Sequence, residues 1–377
     1  MKKKILASVL SLAMVMSVLA GCGSQAAAPA AEVPAASEEA PAAEEAPAAE
    51  EAAPASEEAP AEEAAASDPA VELTFTSVSV TGDSHTTAMD AFAEKVEELS
   101  NGSVTCKTYA DGTLFSADAE FDALSTGQAD LAYISFPTLA TQSGLEWCSM
   151  VGSAYFWSSY DHMTNTLNGD IGKNDIFPKI EEKVNAVPLG AFYLGSRVVN
   201  TRAKEINSYA DMKGILLRMP NSETWLNLGE ALGANPTPLA FSELYTALQT
   251  GAVDGQDNPL PTDVSAKFYE VAPYVAITNH EVDSIIPMIN KDKWNSLTDA
   301  QKQAVTDAME YAKQVNDDAR NEEEANDIKI LEENGCTITY PDIEDFKTNA
   351  QAYYEAHPEQ TADWDMDLYN KIQEAAK

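Results

Sequence analysis

An α/β protein built as two lobes is the fold class this 377-residue chain predicts, on three observations. Strand-like and helix-like segments alternate from Val71 onward. One eight-residue pattern recurs at the same kind of joint in two places. A stretch of 37 residues, Thr298 to Asn334, holds neither Pro nor Gly.

The elements follow in order. Glu72–Val80 is rich in β-branched and aromatic residues and predicts a strand. After Gly82 and Ser84, the apolar residues Ala88, Phe92, Val96 and Leu99 fall on one helical face. Asn101-Gly102 closes that helix and Ser103–Tyr109 reads as the next strand. Ser116 is a candidate N-cap for a helix through Thr126, stopped by Gly127, with a strand over 129–135. The sequence Ala-Leu-x-Thr-Gly-x-x-Asp then occurs twice, at Ala123–Asp130 and at Ala247–Asp254, preceded by Phe115-Ser116 and by Phe241-Ser242. Helix–glycine–strand joints recur throughout α/β folds, so the echo reads either as that or as two lobes built alike. In the second case a ligand would sit between the carboxyl ends of their strands. Near the C-terminus, Thr298-Asp299-Ala300-Gln301 is a capping-box pattern. A continuous helix from there to Asn334 would be about 55 Å long at about 1.5 Å per residue. That exceeds one small lobe, so the helix is expected to span both.

The N-terminus differs in kind. Lys2, Lys3 and Lys4 precede an apolar run from Ile5 to Ala20, a pattern of export rather than of a membrane span. Leu19-Ala20-Gly21-Cys22 resembles a bacterial lipobox, which implies a signal peptide over 1–21 and lipid attachment at Cys22. Residues 23–70 hold eleven Glu and Asp68, no Lys or Arg, seven Pro and no aromatic residue. With nothing to bury, the segment reads as a tether. Its 48 residues would reach roughly 150 Å fully extended and roughly 40 Å as a coil.

Composition excludes several functions. The net charge is −38, and residues 71–377 alone carry 49 acids against 20 bases. Nucleic acid is not an expected partner, because phosphate binding needs a basic face. No Gly-x-Ser-x-Gly, Walker, His-Glu-x-x-His or Gly-x-Gly-x-x-Gly motif occurs. The four His residues are scattered, and Cys106, Cys148 and Cys336 lie among apolar or strand-like neighbours, as buried thiols do. Glu181-Glu182 and Glu322-Glu323-Glu324 read as solvated helix faces. No enzyme, cofactor or metal site is expected.

Arginine is the informative residue. Only Arg197, Arg202, Arg218 and Arg320 occur, three of them within 22 residues. A guanidinium fork binds a carboxylate through two parallel hydrogen bonds. Arg197, after Gly195-Ser196, and Arg218, ahead of Met219-Pro220, suit strand ends or the loops after them. Pairing with a local acid is the other reading for each.

Five blocks appear in order: Gly195-Ser196-Arg197; Asp211–Gly214 through Arg218-Met219-Pro220-Asn221; Gly233-Ala234-Asn235-Pro236-Thr237-Pro238; Phe241–Gln249; and Val253–Pro259. Together they resemble the solute-binding proteins of TRAP (tripartite ATP-independent periplasmic) transporters, of the dicarboxylate-binding (DctP) type, over about residues 71–355. The resemblance implies a periplasmic-binding-protein-like fold with a hinge, closing on an organic acid anion and handing it to an ion-gradient-driven permease. A ligand-sensing surface lipoprotein without its own permease is the alternative. The implied lobes are 71–194 plus 284–323, and 195–283 plus 324–377. Arg218 matches the family's carboxylate-pairing arginine, Asn258 a contact to the same ligand, and Arg197 a second basic contact. Asn221 and Phe241 match contacts of the sialate-binding branch. Val78 and Ser135 stand where that branch places an Asn and a Glu, a departure that points away from sialate. A smaller carboxylate, an aromatic acid or a sugar acid remain open. Ser135 joins the candidate site, while His85, Trp147, Tyr155 and Trp157 either line the first-lobe side or belong to core. The implied location is the outer face of the cell membrane.

Overall fold

The computed structural model describes residues 68–376. The expected signal peptide, Cys22 and the tether up to residue 67 lie outside the described residues.

The first half of the sheet is a β-α-β-α-β unit: β1 (Val71–Thr76), α1 (Ser84–Leu99), β2 (Val104–Tyr109), α2 (Ala117–Ser125) and β3 (Leu131–Ser135). Its strands are parallel with β1 in the middle. The predicted first strand is shorter than expected, because the chain leaves the sheet after Thr76 and turns through Gly82. Ala88, Phe92 and Val96 are buried as their spacing predicts, against Leu73, Phe75 and Val104. Leu99, placed on the same face, is exposed.

Three short helices, α3 (Phe136–Leu139), α4 (Tyr160–Leu167) and α5 (Phe177–Lys183), precede β4 (Ala186–Pro188) and β5 (Phe192–Thr201). The second unit is β6 (Leu216–Met219), α6 (Glu223–Ala231), β7 (Asn235–Pro238), α7 (Phe241–Thr250) and β8 (Gly255–Pro259), again parallel with its first strand in the middle. Helix α8 (Leu260–Ser265) leads to β9 (Tyr274–Asn290). The sheet runs β2-β1-β3-β9-β5-β8-β6-β7, so the two units flank the antiparallel pair β5/β9. β5 contains bulges near Gly195 and Arg197 in its register with β9.

The echo has a structural basis. Gly127 and Gly251 close α2 and α7 with φ of +75° and +79°, a left-handed conformation glycine adopts without strain. Asp130 and Asp254 each accept a backbone N–H of the unit's middle strand, Thr74 N and Leu216 N, both at 2.9 Å. Both aspartates fix the start of a parallel strand pair.

After α9 (Lys291–Ser296), α10 (Asp299–Glu333) is one helix of 35 residues, opened by the Thr298–Gln301 capping box. Val305, Ala308, Met309 and Ala312 pack with the core of the first unit, and Leu331 with Val198, Leu260 and Val275. It thus reaches both halves, as its length predicts. Glu323 and Glu324 turn inward rather than facing solvent: Ser84 Oγ donates to Glu323, and Tyr193 Oη and Ser196 N donate to Glu324. Next come β10 (Thr337–Thr339), α11 (Ile343–Ala356) and α12 (Met366–Ala375). Phe346 of α11 packs with Leu217 and Met219, whereas Leu368 and Ile372 of α12 pack with Phe121, Ile134 and Trp147. The chain end therefore divides between the two halves, although the expected lobe boundary kept 324–377 together. Among the described residues no helix is long and apolar enough to cross a membrane.

Candidate functional site

A cleft of about 490 Å³ opens where the carboxyl ends of β3 and of β6 and β8 face each other. Arg218, Arg197, Asn258, Asn221, Phe241 and Ser135 all line it. Parallel units leave their variable connections at those ends, which is why strand-end residues from distant blocks converge there.

The two cleft arginines are held differently. Arg197, on β5, is spent on the protein. Its Nε donates to Asp257 Oδ2 at 2.7 Å, Nη1 to Asp283 Oδ2 at 2.9 Å, and Nη2 to the Asp257 carbonyl at 2.8 Å. The guanidinium lies over the Trp225 ring, 4.4 Å from its centre. Burial opposes its charge, but Asp257 and Asp283 outweigh that and hold it firmly protonated. Burial likewise works against ionised Asp257, yet Arg197 and His280 hold that carboxyl below the usual range. Glu281 and Asp283 are pushed up, first by burial.

Arg218, the penultimate residue of β6, is 2 % exposed. Its Nε donates to the Leu239 carbonyl at 2.8 Å. Among the described residues no carboxylate comes within 4.0 Å of it, although ion pairs at that distance are frequent elsewhere in the molecule. Burial pulls its pKa down to about 10, so it remains charged at neutral pH. A buried cation without an anion is costly unless a bound anion completes the pair.

The remaining candidates are arranged around this group. Asn258 donates through Nδ2 to Gln256 Oε1 at 2.5 Å and accepts from Arg197 Nη2 at 3.4 Å. Asn221 is exposed at the cleft, and Phe241 packs edge-on against Phe268 with ring centres 5.5 Å apart. Ser135 is N-cap of α3: its Oγ accepts Thr138 N at 3.3 Å and lies 3.0 Å from Thr138 Oγ1. Val78 lines the same wall. Sequence reasoning missed the acids of α2, since Asp118, Glu120 and Asp122 also line the cleft. Acids on a short helix carry no sequence signal that separates dipole compensation or a solvated face from a ligand wall.

Of the aromatic alternatives, His85 is buried beside Asp83 and Arg320, and Trp147 is core. Tyr155 and Trp157 line a larger cavity, about 1040 Å³, that shares no candidate residue with the cleft. Tyr193, Ser196 and Val282 line it, whereas Leu194, Arg197 and Asp283 line the cleft. The two hollows therefore lie on opposite faces of β5 and β9. The smaller one holds Arg218, a buried cation with no carboxylate within 4.0 Å among the described residues, and that makes it the candidate site. Among the described residues no three His, Cys, Asp or Glu side chains are placed to hold a metal ion. Cys148 is buried and Cys106 and Cys336 are half-buried; all three are free thiols, pushed up chiefly by burial.

A family model for bacterial extracellular solute-binding proteins, family 7 (DctP), matches residues 75–361. The chain belongs to the DctP family. The sialic acid-binding periplasmic protein SiaP of Vibrio cholerae is 33 % identical over 262 residues, covering 70 % of this chain and 80 % of the relative. Among solved structures, a TRAP periplasmic solute-binding protein from Roseobacter denitrificans with bound 3-deoxy-D-manno-oct-2-ulosonic acid superposes with a TM-score of 0.76. It is 34 % identical and covers 81 % of this chain and 99 % of its own. A second Roseobacter denitrificans protein of this kind, with bound L-galactonate, has a TM-score of 0.74 at 27 % identity, covering 82 % and 100 %. The DctP assignment agrees with the mixed α/β fold and the long C-terminal helix.

Proposed function

We propose that this DctP-family chain is an extracytoplasmic receptor that closes on a small organic acid anion and delivers it to a TRAP membrane permease, without chemical turnover. One observation carries the reading: the Arg218 guanidinium is buried in the cleft with no carboxylate within 4.0 Å among the described residues. A ligand carboxylate supplies the missing charge, and the fork geometry fixes its orientation. The sugar acids named with the two Roseobacter structures support this ligand class.

The other residues divide the remaining work. Arg197 acts through its hold on Asp257 and Asn258. Asn258 and Asn221 offer amides to polar groups beside the carboxylate. Phe241 covers the apolar side, and Ser135 meets the ligand from the opposite wall. Closure is a bend in β5 and β9, which join the two units and carry bulges at the crossing. Lobes of about 71–194 with 284–323, and of 195–283 with the chain end, are the bodies that move, apart from α12, which travels with the first. Cys22 anchors the protein to the outer face of the cell membrane by its lipid, and the acidic tether gives the receptor reach.

Titration calorimetry with 3-deoxy-D-manno-oct-2-ulosonic acid and L-galactonate, on parent and Arg218→Ala, tests the clamp. The variant is expected to keep its melting temperature and to lose at least about 30-fold in affinity, near 2 kcal/mol. Unchanged affinity overturns the assignment. Native mass spectrometry of the purified protein, before and after mild denaturation, identifies any anion that it retains.

A further inference from the structure

We infer that the cleft selects monocarboxylates whose far end carries hydrogen-bond donors, and that Asp118 and Asp122 on α2 exclude dicarboxylates. The inference rests on the carboxylate reading of Arg218 and narrows it to one class of acid.

The charges of the cleft carry the argument. Arg197 is neutralised within the protein, its Nε and Nη1 lying 2.7 and 2.9 Å from Asp257 and Asp283. That leaves Arg218 as the one cleft cation without a carboxylate among the described residues. One free cation balances one ligand charge. On the other wall, α2 turns Asp118, Glu120 and Asp122 into the same cleft. Asp118 and Asp122 have no Lys, Arg or His within 4.0 Å, and no side-chain or backbone group in the described residues donates to their carboxylates. Against burial, the Asp257 charge and then the Asp118 charge across the cleft favour the protonated form of Arg218, while Arg197 opposes it. Glu120 is 4 % exposed and, among the described residues, only Thr76 Oγ1 donates to it, at 3.4 Å; burial pushes it up to about 8 and keeps it neutral near pH 7. The wall opposite the clamp therefore presents two fixed negative charges with empty acceptor positions, and one neutral carboxyl.

A bound molecule must satisfy both walls. Hydroxyl or ammonium groups donate to Asp118 and Asp122, and charge-assisted bonds of this kind are the stronger ones. A second carboxylate can only accept, and it would meet like charges with no cation left to offset them. Rejection by a repulsive element adds to selection by the attractive one.

Matched pairs that differ in one terminal group test this: L-galactonate against galactarate, and L-threonate against tartrate, by titration calorimetry on the exported chain. Within a pair the monocarboxylate is expected to bind at least about 30-fold tighter. In the double variant Asp118→Asn with Asp122→Asn, that ratio is expected to shrink at least about fivefold, through a gain by the dicarboxylate. Equal or tighter binding of the dicarboxylate, or a ratio unmoved in the double variant, overturns the selectivity. If that dicarboxylate binding disappears in Arg218→Ala, the clamp stands while the selectivity falls. If no member of either pair binds parent or double variant, the hydroxy-acid ligand class and the selectivity built on it both fall.

Discussion

The two β-α-β-α-β units share a plan down to single hydrogen bonds, and yet they face the cleft with opposite chemistry. Gly127 and Gly251 end equivalent helices, and Asp130 and Asp254 hold equivalent strand starts. After its first strand one unit places Val78 and the other places Asn221; at its third strand one ends on Ser135 and the other carries Asn258. Acids come from α2 in one unit, while Arg218 comes from the middle strand of the other, one residue before its end. Backbone demands, a left-handed cap and a paired N–H, fix the repeat. Residues at strand ends carry no such demand, so the two copies are free to differ there. Five substitutions, taken from the largest expected effect to the smallest, break or sharpen this comparison.

Arg197 joins the units at β5 and compensates acids from both neighbouring strands. Removing it in Arg197→Ala leaves Asp257 and Asp283 buried without their cation, and breaking one partner of a buried pair typically costs about 3–5 kcal/mol. A large fall in urea midpoint is expected, in contrast to Arg218→Ala, whose cation pairs with no carboxylate among the described residues and gives up one bond to the Leu239 carbonyl. Equal stability of the two variants would mean that these arginines play one role, not two.

Glu120 sharpens the contrast between walls through pH. Its folded carboxyl keeps the proton up to about pH 8, against an ordinary value of 4.5. Between those values the folded state binds more protons than the unfolded one. The stability present below pH 4.5 is therefore lost as pH rises towards 8. Glu120→Gln keeps the neutral shape at every pH, so its advantage over the parent is expected to grow from pH 5 to pH 9, reaching on the order of 2 kcal/mol. Urea denaturation at the two pH values reads this directly. A difference that does not change with pH means Glu120 is ionised in the folded cleft.

Asp130→Ala and Asp254→Ala compare the repeats themselves. Each removes one acceptor for a backbone N–H, a loss of about 1 kcal/mol. Asp130 is also buried and lies 3.1 Å from Lys293, so its variant is expected to be the less stable of the two. The reverse order would show that the shared sequence does not mark a shared role.

Much of the plan was legible in the chain because local physics enforces it. The Thr298–Gln301 capping box, the 35-residue helix and both glycine caps appear where residue pattern alone puts them. The six candidate site residues meet in one cleft. What escaped depends on distant partners. Glu323 and Glu324 look like a solvated run until Ser84, Tyr193 and Ser196 are brought against them. The bulge at Gly195 is invisible in sequence. There φ is +127° and a Cβ would lie 2.4 Å from Pro259 Cβ, so the demand comes from β8, 64 residues away. His85 reads as a cleft residue only while Arg320, 235 residues on, is out of view.

Ser135 gives the smallest expected effect and bears most directly on what the first wall does. It occupies the strand-end position of that wall, but its hydroxyl is already committed: it accepts the Thr138 N–H and lies within hydrogen-bond distance of the Thr138 hydroxyl. A hydroxyl retains one further hydrogen-bonding capacity, so a contact to ligand is open to it only in addition to the cap. Ser135→Ala is therefore expected to lower stability by about 1 kcal/mol through loss of the cap, and ligand affinity by less than about fivefold, under 1 kcal/mol. Calorimetry alongside thermal melting separates the two effects. An affinity loss approaching that of Arg218→Ala would place a principal ligand contact on the first wall. The selectivity of the cleft would then rest on a directed hydrogen bond at Ser135 rather than on the charges of α2.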